Sequence, residues 1–137
     1  MNRGPMNKGP MNRGGTAAIE FALAFPVLLV AFLAAFELFR LVQAQRVLDL
    51  AVTQALRYGA VRSTSASSAD IQGVVTTTMT GLLGSAAGVS VTVGFSPAYA
   101  PGDQLSVSAQ LPWTADFLPG EFAAVTLTAS GAITVQN

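Results

Sequence analysis

The 137 residues include seven Lys plus Arg, seven Asp plus Glu, no His and no Cys, with 51% hydrophobic and only 10% charged. Soluble domains carry roughly 25% charged residues, so this chain is built in part to meet lipid or a partner, and its lack of Cys and His excludes disulfide scaffolds, thiol nucleophiles, imidazole bases and nearly every zinc site. No basic residue follows Arg62, while Asp70, Asp103, Asp116 and Glu121 do, so the larger half offers no cationic patch for nucleic acid.

Residues 1–15 repeat a pentapeptide three times: Met-Asn-Arg-Gly-Pro, Met-Asn-Lys-Gly-Pro, Met-Asn-Arg-Gly-Gly. Arg3, Lys8 and Arg13 make it basic, and Gly, Pro and Asn oppose a regular helix, so it reads as a flexible targeting leader with alternative starts at Met1, Met6 and Met11. From Phe21 to Phe36 run 16 uncharged residues bracketed by Glu20 and Glu37. At about 1.5 Å per residue this run covers roughly 24 Å of a hydrocarbon core about 30 Å thick, so a spanning helix borrows Thr16 to Ile19, Leu38 and Phe39. Pro26 removes one backbone donor and is expected to kink the helix, which membrane helices tolerate. Arg40, Arg46 and Arg57 match the three leader cations, so loop charge alone does not orient the span.

The helical pattern continues past Arg40 to about Tyr58. Leu41, Ala44, Leu48, Ala51 or Val52, and Ala55 recur at spacings of three and four, and Glu37 with Arg40 and Arg46 with Asp49 are placed to pair along a solvated face. Gly59 and the run Ser63 to Ser68 are expected to end this helix. Ser67 and Asp70 stand in capping-box spacing before Ile71, Val74, Val75, Met79, Leu82 and Leu83, which predicts a second, shorter helix held by packing on the first. Three alternating stretches follow: Val89 to Phe95, Leu105 to Leu111, and Val125 to Ala129 resuming at Ile133 and Val135. Pro97 to Gly102 and Pro112 to Gly120 link them, and Gly131 marks a bulge or bend. Half-buried antiparallel strands need a cover, and the two helices are its source. Trp113, Phe117, Phe122 and Tyr99 are expected to pack in this small core, while Asp103, Asp116 and Glu121 lack the spacing of a Ca²⁺ site.

Glu20 is the chemical anomaly. A carboxylate costs on the order of 2.5–3.5 kcal/mol at the bilayer centre and less near the edge, so Glu20 either snorkels to the headgroups, as Glu37 is expected to do, or has a dedicated partner. Proteolysis after Gly15 would create one, because the ammonium of Thr16 as a new N-terminus can pair with Glu20 of a neighbouring subunit inside a helical bundle.

The stretch Gly15-Thr-Ala-Ala-Ile-Glu20-Phe21, then Pro26, Glu37-Leu-Phe-Arg40, Leu48-Asp49 and Ala55-Leu-Arg57-Tyr58, resembles the TadE-like pseudopilins of the tight-adherence (Flp, type IVb) pilus system. The resemblance covers roughly Gly14 to Arg62. It implies cleavage by a prepilin peptidase between Gly15 and Thr16, with Glu20 fifth and Phe21 sixth in the mature chain. As partners it implies that peptidase, other pilins or pseudopilins and an inner-membrane assembly platform; the apolar span adds membrane lipid, and the composition leads to no enzymatic activity and no cofactor being expected. The repeated pentapeptide lies outside this resemblance and leaves the start codon open among Met1, Met6 and Met11, and the chain is longer than the very short major pilins, which favours a minor role.

The expected fold is α+β and pilin-like: a leader over 1–15, a transmembrane half-helix over 16–39 that serves assembly, an amphipathic half-helix over 40–62, and an extracytoplasmic domain over 63–137 with a short helix and a three-stranded antiparallel sheet. The expected location is the bacterial inner membrane with the N-terminus cytoplasmic before cleavage, then the pilus or cell surface. The alternative is a signal-anchored extracytoplasmic binding module that never polymerises. An enzyme would need Ser, Thr or carboxylate chemistry, and no Gly-x-Ser-x-Gly elbow or close acidic pair is present.

Overall fold

With no strong stop signal between Thr16 and Tyr58, the backbone has little reason to leave the helical state, and α1 runs through Arg13–Arg62, 50 residues including Pro26. The structure, a computed structural model, describes residues 13–62, 65–96, 100–115 and 124–135. Most of the basic leader, together with Tyr99, Asp116, Phe117, Glu121 and Phe122, lies outside the described residues. α1 passes through Gly59 instead of ending there. The reason is tertiary: a Cβ at Gly59 would collide with Leu105 Cδ2 and lie 3.1 Å from Ile71 Cδ1, so this glycine admits neighbours and is not a stop.

Two compact units divide the chain, Met1–Ala35 and Phe36–Asn137. In the first, no described side chain of α1 is buried, and Ile19, Phe21, Leu23, Phe25, Leu28 and Phe32 are all exposed. α1 contains an 18-residue window of mean hydropathy 2.4, so by length and composition it can cross a membrane.

In the second unit α1 buries Ala44, Leu48, Ala51, Val52, Ala55, Leu56 and Ala60, the expected spacing of three and four extended by one turn. α2, Ser68–Leu83, starts at the anticipated capping box: the Ser67 side chain accepts from the Asp70 N–H, and the Asp70 carboxylate accepts from the Ser67 N–H at 2.9 Å. It ends at Gly84, whose φ of 76° lets its N–H reach the Thr80 carbonyl. Ile71, Val75 and Met79 are its buried stripe, and Thr78 donates to Gln54 Oε1 of α1 at 2.9 Å. The three consecutive threonines Thr76 to Thr78 are poor helix formers, so burial of that stripe carries α2, each large side chain contributing roughly 1.5–3 kcal/mol.

The strands β1 (Ser90–Ser96), β2 (Gln104–Thr114) and β3 (Ala124–Thr134) form one antiparallel sheet in that order. Leu105, Val107, Ala109 and Leu111 of β2 join Leu127 and Ala129 of β3 and the helix stripes in a single core, with Val91, Val93, Phe95 and Trp113 half-buried against it. The opposite face carries Ser, Thr and Gln and no charge, for instance Thr92, Ser108 and Ser130 in adjacent strands.

Two strand expectations are corrected. Gly131 is not a bulge, because the β2–β3 register runs unbroken through Val107↔Gly131; a Cβ there would meet Leu56 Cδ1 at 2.6 Å, so glycine lets α1 lie close on the sheet. β2 also continues through Pro112 to Thr114 instead of ending before Pro112. The β1 pairing stops at Ser90↔Gln110, so Pro112 sits where β2 has β3 on one side only, the edge position at which a strand tolerates proline.

Neither sheet edge is guarded by a charged side chain among the described residues. Instead Gln45 of α1 donates to the Thr128 carbonyl on β3 at 3.0 Å, and Gln72 of α2 donates to the Val91 carbonyl on β1 at 3.3 Å. Each helix thus caps an acceptor on the edge strand it covers. Asp103, which lacks ligand spacing, closes the β1–β2 turn by accepting from the Ala100 N–H at 3.2 Å.

Candidate functional site

α1 places Gly15, Thr16, Glu20 and Phe21 in its first three turns. Helical geometry sets Thr16 and Glu20 one turn apart on the same face, both exposed. Among the described residues Glu20 has neither an ion pair nor a hydrogen-bond partner. Phe21 packs on Phe25 one turn further, ring centroids 5.8 Å apart at 37°, so an aromatic pair borders the carboxylate.

The helix begins at Arg13, two residues before the predicted scissile bond, whereas the sequence places its start at about Thr16. Gly14 and Gly15 are among the poorest helix formers, and a terminal turn has few bonds to lose, so this start opens readily. A Cβ at Gly15 would meet nothing within 4 Å, so the fold itself does not demand glycine there. Pro26 stays inside the helix; its ring nitrogen leaves the Ala22 carbonyl without the usual donor.

The second polar group lies in the Phe36–Asn137 unit. Glu37 is 3% exposed and pairs with Arg40 at 3.1 Å, so it is not a boundary acid reaching for headgroups. It is folded into the domain because the turn holding Arg40 lies against Trp113, with the guanidinium carbon 5.3 Å from the ring centroid. Two polar atoms here are buried without a hydrogen bond: Glu37 Oε1, an acceptor, and Trp113 Nε1, a donor. Leaving such a group unmet costs on the order of 1–3 kcal/mol, more for a charged one.

The Glu37–Arg40 pairing is legible from spacing, but the arrival of Trp113 from β2 is not. The parallel expectation for Arg46 and Asp49 fails: Asp49 Oδ1 instead accepts from Gln45 Nε2 at 3.1 Å, and its carbonyl accepts from Thr53. Exposed ion pairs gain little over such local bonds. Among the described residues no group of three or more His, Cys, Asp or Glu is placed to hold a metal ion.

Residues 15–57 match the family model of TadE-like proteins. No curated protein and no solved structure matches the chain. The matched segment contains Gly15, Thr16, Glu20, Phe21, Pro26, Glu37 and Arg40 and stops before α2 and the sheet.

Proposed function

We propose that this chain, TadE-like across its N-terminal helix, is a minor pilin of a tight-adherence type IVb pilus. In this reading the 1–15 leader is removed by a prepilin peptidase between Gly15 and Thr16. Residues 16–39 first anchor the subunit in the bacterial inner membrane, with the N-terminus cytoplasmic before cleavage, and later line the assembly. Residues 40–62 and the 63–137 domain lie outside the cytoplasm. The partners are the peptidase, the inner-membrane assembly platform and other pilins or pseudopilins.

One observation carries the reading: a carboxylate without a partner among the described residues, one turn from Thr16, in a helix whose other residues from Thr16 to Phe36 are uncharged and unburied. A buried ammonium–carboxylate pair is strong only where water is excluded and both groups are satisfied, which is the environment a bundle of such helices provides. The amine of Thr16 on the next subunit then fixes the axial register. Van der Waals packing between helices replaces packing on lipid, so leaving the bilayer costs little beyond the polar groups, and the Thr16–Glu20 pair covers those.

Mass spectrometry of the chain recovered from cells with an active prepilin peptidase tests this directly. The expected N-terminus is Thr16. An intact leader in those cells overturns the reading and leaves an anchored, non-polymerising binding module.

A further inference from the structure

A cavity of about 440 Å³ opens beside Trp113, within the range of small-ligand sites. Its walls include Arg40 and Gln43 of α1, Leu82 and Ser85 at and just past the end of α2, and Trp113 and Thr114 at the end of β2. One side of the lining is a cation, an amide and hydroxyls; Leu82, 54% exposed, adds an apolar rim. Arg40 and Gln43 stand one and two turns beyond Phe36, where the uncharged run ends, and Leu38 and Phe39 beside them are exposed.

We propose that this cavity seats the headgroup of a membrane phospholipid, its phosphate facing Arg40 and Gln43. With the apolar run in hydrocarbon, the Arg40 turn falls where the helix leaves it, the depth at which Trp rings concentrate and an Arg at a helix end extends to the headgroups. A guanidinium presents a planar fork that matches phosphate, and the Glu37 pair holds this one against the Trp113 ring. The Gln43 amide and the Ser85 and Thr114 hydroxyls add donors from which phosphate oxygens can accept. The acyl chains would leave past Leu82. The inference rests on the membrane anchoring proposed above and adds a lipid contact made by the folded domain.

Trp113 is the single tryptophan of the chain, so its fluorescence reports this site alone. The full chain is reconstituted in phosphatidylethanolamine–phosphatidylglycerol vesicles doped with phospholipid spin-labelled either on the headgroup or deep in the acyl chain. The headgroup label is expected to quench Trp113 saturably at low mole fraction and several-fold more than the deep label. Thr114→Leu and, independently, Gln43→Leu should remove the saturable component while far-UV circular dichroism stays unchanged. Quenching that only rises in proportion to label, or is equal for both labels, in a chain that floats with the vesicles overturns the site.

Inorganic phosphate should leave the emission of the detergent-solubilised chain unchanged; a saturable shift would identify a soluble-anion site and overturn the lipid assignment. A chain that does not float with vesicles overturns both this inference and the pilin reading. Saturable quenching in a chain whose leader stays uncut in cells supports the headgroup site and removes the pilin reading alone.

Discussion

At the scale of single residues, the glycines separate what local rules reveal from what packing decides. Gly59, Gly73 and Gly81 all sit in helices where alanine is intrinsically better by roughly 1 kcal/mol. At Gly73 and Gly81 an added Cβ meets nothing within 4 Å, so Gly73→Ala and Gly81→Ala should each raise stability by about 0.5–1 kcal/mol in urea titrations. Gly59→Ala has the same propensity gain but drives a methyl into Leu105, which is fully buried, and towards Ile71; a net loss of about 1–3 kcal/mol is expected in the same assay. Reading Gly59 as a helix end followed the propensity scale, which contains no information about Leu105, 46 residues later in the chain. Glu37 shows the same division. Its spacing from Arg40 reveals the ion pair, but its burial depends on Trp113 arriving from another element. Gly15 is a cleaner probe of processing: since its Cβ has free space, Gly15→Ala should leave circular dichroism unchanged while the leader stays uncut, and normal processing of that variant would show that the peptidase does not read this glycine.

At the scale of elements, α2 is the part most fully written in the sequence, because a capping box is local chemistry. Ser67→Ala should destabilise the domain by about 1 kcal/mol in thermal or denaturant unfolding. The Ser67 backbone N–H, then its hydroxyl, hold the Asp70 carboxyl below its ordinary 3.8, with the positive charge of Arg62 adding to the effect. A carboxyl with a lowered folded-state pKa stabilises the fold above its unfolded value, and that stabilisation is lost as pH falls through the lowered one. Acidification below 3.8 should therefore lower the protection of α2 amides relative to the unfolded chain, and Ser67→Ala should move the Asp70 titration, followed by NMR, back up towards that value. The strands were legible through their period of two, including the core positions of β2 and β3. The end of β2 was not, because Pro112 reads as a break until the sheet order reveals that β1 has already stopped beside it. The glutamine caps on β1 and β3 were equally invisible, since Gln45 lies 83 residues from its acceptor and Gln72 lies 19 from its own.

For the whole molecule, the chain divides into two compact units. The Phe36–Asn137 unit has its own core, so a change in the first turns of α1 should not disturb it. Glu20→Ala is accordingly expected to leave membrane insertion, leader cleavage and the thermal transition of the domain unchanged, while incorporation into the pilus falls to background in sheared-pilus fractions. Incorporation at the wild-type level would remove Glu20 from the assembly mechanism. A loss of insertion in the same variant would place its role in anchoring instead.

The sequence by itself determined the α+β class, the long apolar helix, the capped second helix and the three alternating strands, because each depends on residues a few positions apart and on periods of 3.6 or 2. It also isolated Glu20, since a charge inside an apolar run is visible without coordinates. Only the tertiary structure decided which glycines are contact points, where β2 ends, and that Glu37, Arg40 and Trp113 form one cluster beside a cavity. Those features depend on side chains brought together across tens of residues, and the distances between them follow from how α1, α2 and the sheet pack within the domain rather than from any local pattern.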